Sequence, residues 1–158
     1  TTTTEVAREV ALLPDLTDPE TPVTIVTNAV NIASELTVRQ CVRVVVTGGA
    51  ARARSYELTG PLSSLILPQI SIGTLFLGVE GVDDHGVYAS HESEAAVNAA
   101  LVHAAHRVVV VADHTKLGEA AFALICRTSE IDELITDEAA EPESVEALRA
   151  AGVKVHLV

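Results

Sequence analysis

Runs of consecutive β-branched residues constrain this chain more than any other feature. Val108-Val109-Val110-Val111 is apolar at every position, whereas a strand with one face in water alternates apolar with polar. Such a run is covered on both sides, the habit of a parallel sheet between helices. Val42-Arg43-Val44-Val45-Val46 reads similarly. Further strands are expected at 23–27, 55–59, 74–79, 122–126, 133–136 and 153–158, with the two runs above extending over 42–47 and 107–112.

Helical patterns fall between the strands. Residues 5–13 place Val6, Val10 and Leu13 on one side, and residues 31–38 follow the first strand. A helix over 62–67 sits behind Gly60-Pro61, with proline in its first turn. The longest, 92–106, opens on Glu92 and Glu94 and carries a stripe of Val97, Leu101, Ala104 and Ala105. The last, 142–151, has Pro142 at its start and Gly152 just beyond its end. Alternation of this kind predicts an α/β fold, an open and mostly parallel Rossmann-like sheet with helices on both faces.

Length and composition narrow the classes. The 158 residues suit one domain over 1–158, and a 48% hydrophobic content rules out disorder. No apolar run approaches a membrane span and no secretory leader is seen, so a cytoplasmic protein without membrane contact is expected. The chain starts at Thr1 and contains no Met, so it reads as a fragment whose upstream part is missing. A net charge of −12, with ten Lys plus Arg in no cluster, argues against direct contact between this piece and nucleic acid. Cys41 and Cys126 have no CxxC partner and read as reduced core thiols.

In open parallel sheets ligands bind outside the carboxyl ends of the strands. The turns expected there are Thr27-Asn28, Thr47-Gly48-Gly49, Gly78-Val79-Glu80-Gly81, Asp113-His114-Thr115-Lys116 and Thr136-Asp137. Most carry Thr, Asn, Gly or Lys, which bind anions and hydroxyls. Each also has a plainer reading. Thr1-Thr2-Thr3-Thr4 offers hydroxyls and unpaired N–H groups to a phosphate, or simply caps a frayed helix. Gly48-Gly49 lets backbone approach a ligand, or only makes a turn. Lys116, one of two lysines, is a phosphate contact or a solvated surface group. Asp83, Asp84, Glu92 and Glu94 suggest acid–base or metal chemistry less than they suggest a turn and an acidic first helical turn. His103 and His106 have i, i+3 spacing but lack a third ligand, so no metal is expected. Neither a dinucleotide nor a nucleoside triphosphate motif is present, nor a nucleophile elbow, and no cofactor is indicated.

The order of these short motifs resembles the C-terminal domain of DeoR-family transcriptional repressors over nearly the whole chain. The matching stretches are Thr1-Thr2-Thr3 with Glu5-Val6-Ala7, 23–28, Thr47-Gly48-Gly49, 57–61, 75–78, Gly81-Val82-Asp83, Glu94-Ala95, 112–118, Ile131-Asp132, 135–137 and 152–155. The resemblance implies a fold like ribose-5-phosphate isomerase and a domain that senses a phosphorylated sugar or similar anionic metabolite. It also implies a preceding winged helix-turn-helix that binds DNA, absent here together with the first strand. Ligand contacts would be Thr1, Thr2, Thr3, Thr27, Asn28, Gly48, Gly49 and Gly81, with Lys116 facing the ligand's charge.

The chain departs from the family's pattern at three places. An Asp-x-Gly lead-in to the threonines is missing. Gly73 stands where the family often has Asp, which weakens an isomerase-type enzyme reading. His114 replaces a small residue and introduces a titratable group. The alternatives to a sensor are a sugar-phosphate isomerase-like enzyme on the same fold and a ligand-free oligomerisation domain. A homo-oligomer is expected of either regulator reading, since palindromic operators need paired reading heads.

Overall fold

The computed structural model describes residues 2–13, 16, 20–53 and 55–158, so the phosphate-contact reading of Thr1 lies outside the described residues. The chain divides into two units, Thr1–Gln69 and Ile70–Val158.

In the first unit, helix α1 (Thr2–Val10) is followed by strand β1 (Val23–Thr27), helix α2 (Val30–Leu36) and strand β2 (Val42–Val46). β1 and β2 pair in parallel, with Val23 opposite Val42 and Thr27 opposite Val46. Parallel neighbours need a crossover, and α2 supplies it. Its apolar face, Ile32, Ala33 and Leu36, is buried, and Leu36 packs with Ala11 and Val42 in a small core. α1 is tied to α2 by Arg8, whose Nε donates to Glu35 Oε1 at 2.5 Å. The two-residue strands β3 (Ala50–Ala51) and β4 (Leu58–Thr59) form a short antiparallel ribbon. The strand expected over 55–59 thus shortens to its last two residues, and Tyr56 before it has φ of 59°. The helix expected over 62–67 is replaced by two 3-10 turns, Pro61–Ser64 and Leu67–Gln69. Pro68 lacks the N–H that a continuous helix would require.

The second unit is built on a parallel sheet. Strand β5 (Ile72–Gly78) leads into β6 (Gly81–Val82), β7 (Gly86–Ala89) and helix α3 (Glu92–Ala104). Then come β8 (Ala105–Val111), β9 (Ala123–Arg127), β10 (Glu133–Thr136), helix α4 (Pro142–Ala150) and β11 (Lys154–Leu157). The main sheet has the order β11-β10-β8-β5 with every pair parallel. β8 is interior, and Val108, Val109, Val110 and Val111 are each no more than 3% exposed. Burial on both faces is what the uninterrupted valine run required. Helices α3 and α4 flank the sheet, α4 burying Val145 and Leu148 in the same core as Val110 and Leu134.

A second, antiparallel sheet of β6, β7 and β9 accompanies it. β6 and β7 were not anticipated, being a few residues long and framed by glycine and aspartate. The predicted strand at 122–126 is found as β9 but pairs with β7 rather than joining the parallel sheet. The helix expected to reach His106 stops at Ala104. Ala105 and His106 instead extend β8, where Ala105 pairs with Ile72 of β5. Tertiary pairing there overrides a local helical preference.

Candidate functional site

Parallel strands end on the same side, so each unit presents its candidate residues at one edge. In the first unit the carboxyl ends of β1 and β2 lie side by side, and Thr47 N donates to Thr27 O at 3.1 Å. Buried Thr27 accepts a bond at Oγ1 from Ala29 N (3.0 Å), a hydroxyl turn that starts α2. Its hydroxyl therefore shapes the loop. Asn28 differs. Its carbonyl accepts from Leu58 N at 2.7 Å, while its buried side-chain Nδ2 has no hydrogen-bond partner among the described residues. Leaving a buried donor unmet costs about 1–3 kcal/mol, so such an atom suits a ligand acceptor. Thr2 and Thr3 open α1, and one residue on, Thr4 Oγ1 accepts from Asn31 Nδ2 at 3.1 Å. Asn31 lies in the first turn of α2, so the amino end of α1 meets the same loop that carries Thr27 and Asn28.

Gly48 and Gly49 follow β2 with φ of 82° and 115°. A Cβ on Gly49 would overlap Ser63 Oγ and lie 2.7 Å from Thr59 O, so no other residue fits there. Ser63 is fully buried and donates to Gly48 O at 2.8 Å, fixing this turn from the segment after β4. The sequence reading did not include Ser63, and its contact spans fifteen positions.

In the second unit the carboxyl ends of β5, β8 and β10 carry Glu80-Gly81, Asp113 to Lys116, and Asp137. Lys116 closes a 3-10 turn, His114–Lys116, capped by Asp113, which accepts from Thr115 N at 3.0 Å and from the Thr115 hydroxyl. The Thr115 hydroxyl and backbone hold the Asp113 carboxyl below its ordinary pKa. Lys116 is half-buried, and its Nζ donates to Glu80 Oε2 at 3.1 Å. Glu80 lies in a turn the sequence singled out, but it was not among the candidate contacts. Gly81 is buried, and a Cβ on it would overlap the Glu119 carbonyl oxygen. Its role in this geometry is to let the segment after Lys116 lie against β6, where Gly118 N donates to Val82 O at 2.8 Å.

Asp137 accepts from His114 N and from His114 Nδ1, both at 2.8 Å, and from Ala139 N at 3.0 Å. The backbone bond from His114 is the first cause holding the Asp137 carboxyl below its ordinary pKa.

Asp83 serves the fold. Asp83 accepts from His85 N and Gly86 N, each at 2.8 Å, and from the Tyr88 hydroxyl at 3.2 Å, closing the turn between β6 and β7. Burial, with the Asp83 carboxylate beside it, pushes the Tyr88 phenol up. His106 Nε2 lies 2.7 Å from Ser71 Oγ and His103 is exposed on α3. Among the described residues no group of three or more His, Cys, Asp or Glu could hold a metal ion. No helix among them is long and apolar enough to cross a membrane.

A family model, the DeoR C terminal sensor domain, matches residues 1–138. The chain is 36% identical to the "Putative aga operon transcriptional repressor" of Escherichia coli O157:H7, covering 100% of this chain and 56% of that protein. It is 35% identical to the HTH-type transcriptional regulator GlpR of Haloferax volcanii, covering 98% of this chain and 58% of that protein. The glycerol-3-phosphate regulon repressor of Escherichia coli K12 is 30% identical, with 77% of this chain and 48% of that protein covered. This chain thus spans about half the length of the curated relatives it matches. Those relatives are named as regulators of transcription, not as enzymes. On the family match and on identity over the full chain, this protein belongs to the DeoR C-terminal sensor domain family.

Proposed function

We propose that this chain is the effector-sensing module of a repressor of sugar metabolism and binds a phosphorylated sugar or a similar small anionic metabolite. The observation that carries the reading is the half-buried Lys116, held at the carboxyl end of a parallel sheet in a chain of the sensor family. The expected contacts are Thr1, Thr2, Thr3, Thr27, Asn28, Gly48 and Gly49 in the first unit and Gly81 and Lys116 in the second. Asn28 Nδ2 supports this set because it is a buried donor without a partner among the described residues. The relatives' names, which include a glycerol-3-phosphate regulon repressor, agree with a phosphate ester as effector.

In the full-length cytoplasmic protein a helix-turn-helix would carry the DNA contact, since this acidic piece repels a phosphate backbone. Ligand binding then shifts the balance between operator-bound and released states, by no more than its differential affinity for the two. Homo-oligomers fit the need for paired reading heads.

A thermal-shift screen against phosphorylated sugars and their unphosphorylated counterparts tests the reading. A ligand at about a hundred times its Kd stabilises the fold by about 2.7 kcal/mol. The expected result is a rise in Tm with one phosphate ester, lost in Lys116→Ala. No shift with any ester, in this domain or the full-length protein, leaves the ligand-free oligomerisation domain as the better account.

A further inference from the structure

The His114–Asp137 pair is a built arrangement that the reading above does not use. It rests on that reading, and it concerns the carboxyl end of the sheet in the second unit alone. Asp137 grips His114 at two points, the backbone N and the ring Nδ1, each at 2.8 Å. A carboxylate can only accept, so the proton of that ring contact sits on Nδ1. Asp137 is itself fixed by Ala139 N at 3.0 Å, so the imidazole is oriented from a rigid base. Among the described residues no hydrogen bond engages the opposite nitrogen, Nε2, and the His114 side chain is 45% exposed. His114 opens the same 3-10 turn that Lys116 closes.

From this geometry we infer that His114 is a second cationic contact for the effector, donating Nε2–H to its anionic group while Asp137 stabilises the imidazolium. The neighbouring charges have different effects. Asp137, on the turn after β10, and Asp113, on the same turn as His114, favour the charged ring, and bonds to backbone and hydroxyl donors keep both ionised at neutrality. Lys116 opposes it, and Glu80, which pairs with Lys116, offsets part of that opposition. A bound dianion adds to the first group. Protonation of the ring and anion binding are therefore linked, each favouring the other.

Sulfate tests this contact directly, because it presents a dianion without a sugar. Sulfate affinity of the domain, followed by NMR titration, is expected to fall about tenfold in His114→Gln, the size of one charge-assisted contact. Lys116→Ala should weaken binding as well, and Asp137→Asn should weaken it while disturbing the Nδ1–H tautomer, read from the imidazole nitrogen couplings of the free protein. If sulfate and an ester bind, and Lys116→Ala weakens both, but His114→Gln leaves the affinity unchanged, this inference is overturned and the sensor reading stands. If neither sulfate nor any ester binds the wild-type domain, both fall.

Discussion

At the scale of single residues, the candidate positions divide by what already engages them. Thr27 and Gly81 are used by the fold itself, one starting a helix and the other admitting a backbone carbonyl. Among the described residues, Asn28 keeps an unmet donor and the Lys116 charge is paired with Glu80. An anion approaching Lys116 meets repulsion from Glu80, and removing that charge should help it bind. Glu80→Gln is expected to tighten phosphate-ester binding severalfold, on the order of 1 kcal/mol for one partly exposed charge, measured by calorimetry at low salt. Weaker binding would mean that Glu80 matters more for positioning Lys116 than for opposing the ligand. The thiols make a second prediction. Burial pushes the Cys126 thiol up to about 12, so it has almost no thiolate at neutral pH. Cys41 is only partly buried. A thiol reagent should therefore label Cys41 in the native protein and reach Cys126 only after unfolding, and native labelling of both would contradict the packing around β9.

At the scale of elements, legibility followed the length of the local signal. β1 and β10 have the bounds expected of them, and β8 was evident because four consecutive valines fit only a strand covered on both sides. β6 and β7 were illegible because they are two and four residues long and their pairing depends on a turn held by Asp83. The join between α3 and β8 was misplaced for a related reason. Ala104-Ala105-His106 continues a helical pattern, and only pairing with Ile72, more than thirty positions away, ends it. The same logic applies to the site. Strand-end loops could be found from sequence, whereas the pairs Lys116–Glu80 and His114–Asp137 join residues 36 and 23 positions apart, which no local pattern records. The interior of the parallel sheet offers a direct check on this account. Leu134, on β10 between β8 and β11, is fully buried with Val110 and Leu148 in one core. Leu134→Ala should cost about 2–5 kcal/mol in chemical denaturation, through lost transfer energy and the cavity left behind. Truncating Leu62, 65% exposed, should change stability by only about 0.5 kcal/mol.

For the whole molecule, the excess of 22 acidic over 10 basic residues sets two opposed responses to acid. Protonating exposed carboxylates relieves self-repulsion, which favours the folded chain. Against this stand carboxylates whose folded pKa is held low by specific partners. Glu133, at the start of β10, accepts from Arg107 first and from His156, and both hold it below the ordinary range. Glu35 is held down chiefly by Arg8, Asp113 by Thr115, and Asp137 by the His114 backbone. A depressed carboxylate contributes stability that is fully present above its unfolded pKa and is lost as pH falls through the folded one. The two effects therefore separate along the pH axis. Relief of repulsion begins where free carboxylates titrate, at about pH 4 to 5, and the loss of paired carboxylates follows below about pH 4. Stability should stay level or rise slightly from neutrality toward that first window, then fall steeply beneath it. Denaturation midpoints measured against pH check this, and Glu133→Gln should make the steep limb shallower by removing one low-pKa acceptor. Added salt separates the terms again, since it screens diffuse repulsion more than close hydrogen-bonded pairs. It should raise the midpoint at neutral pH and leave the acid limb largely in place. An acid limb that disappeared in salt would assign acid unfolding to net charge, and not to the carboxylates that anchor these strands and turns.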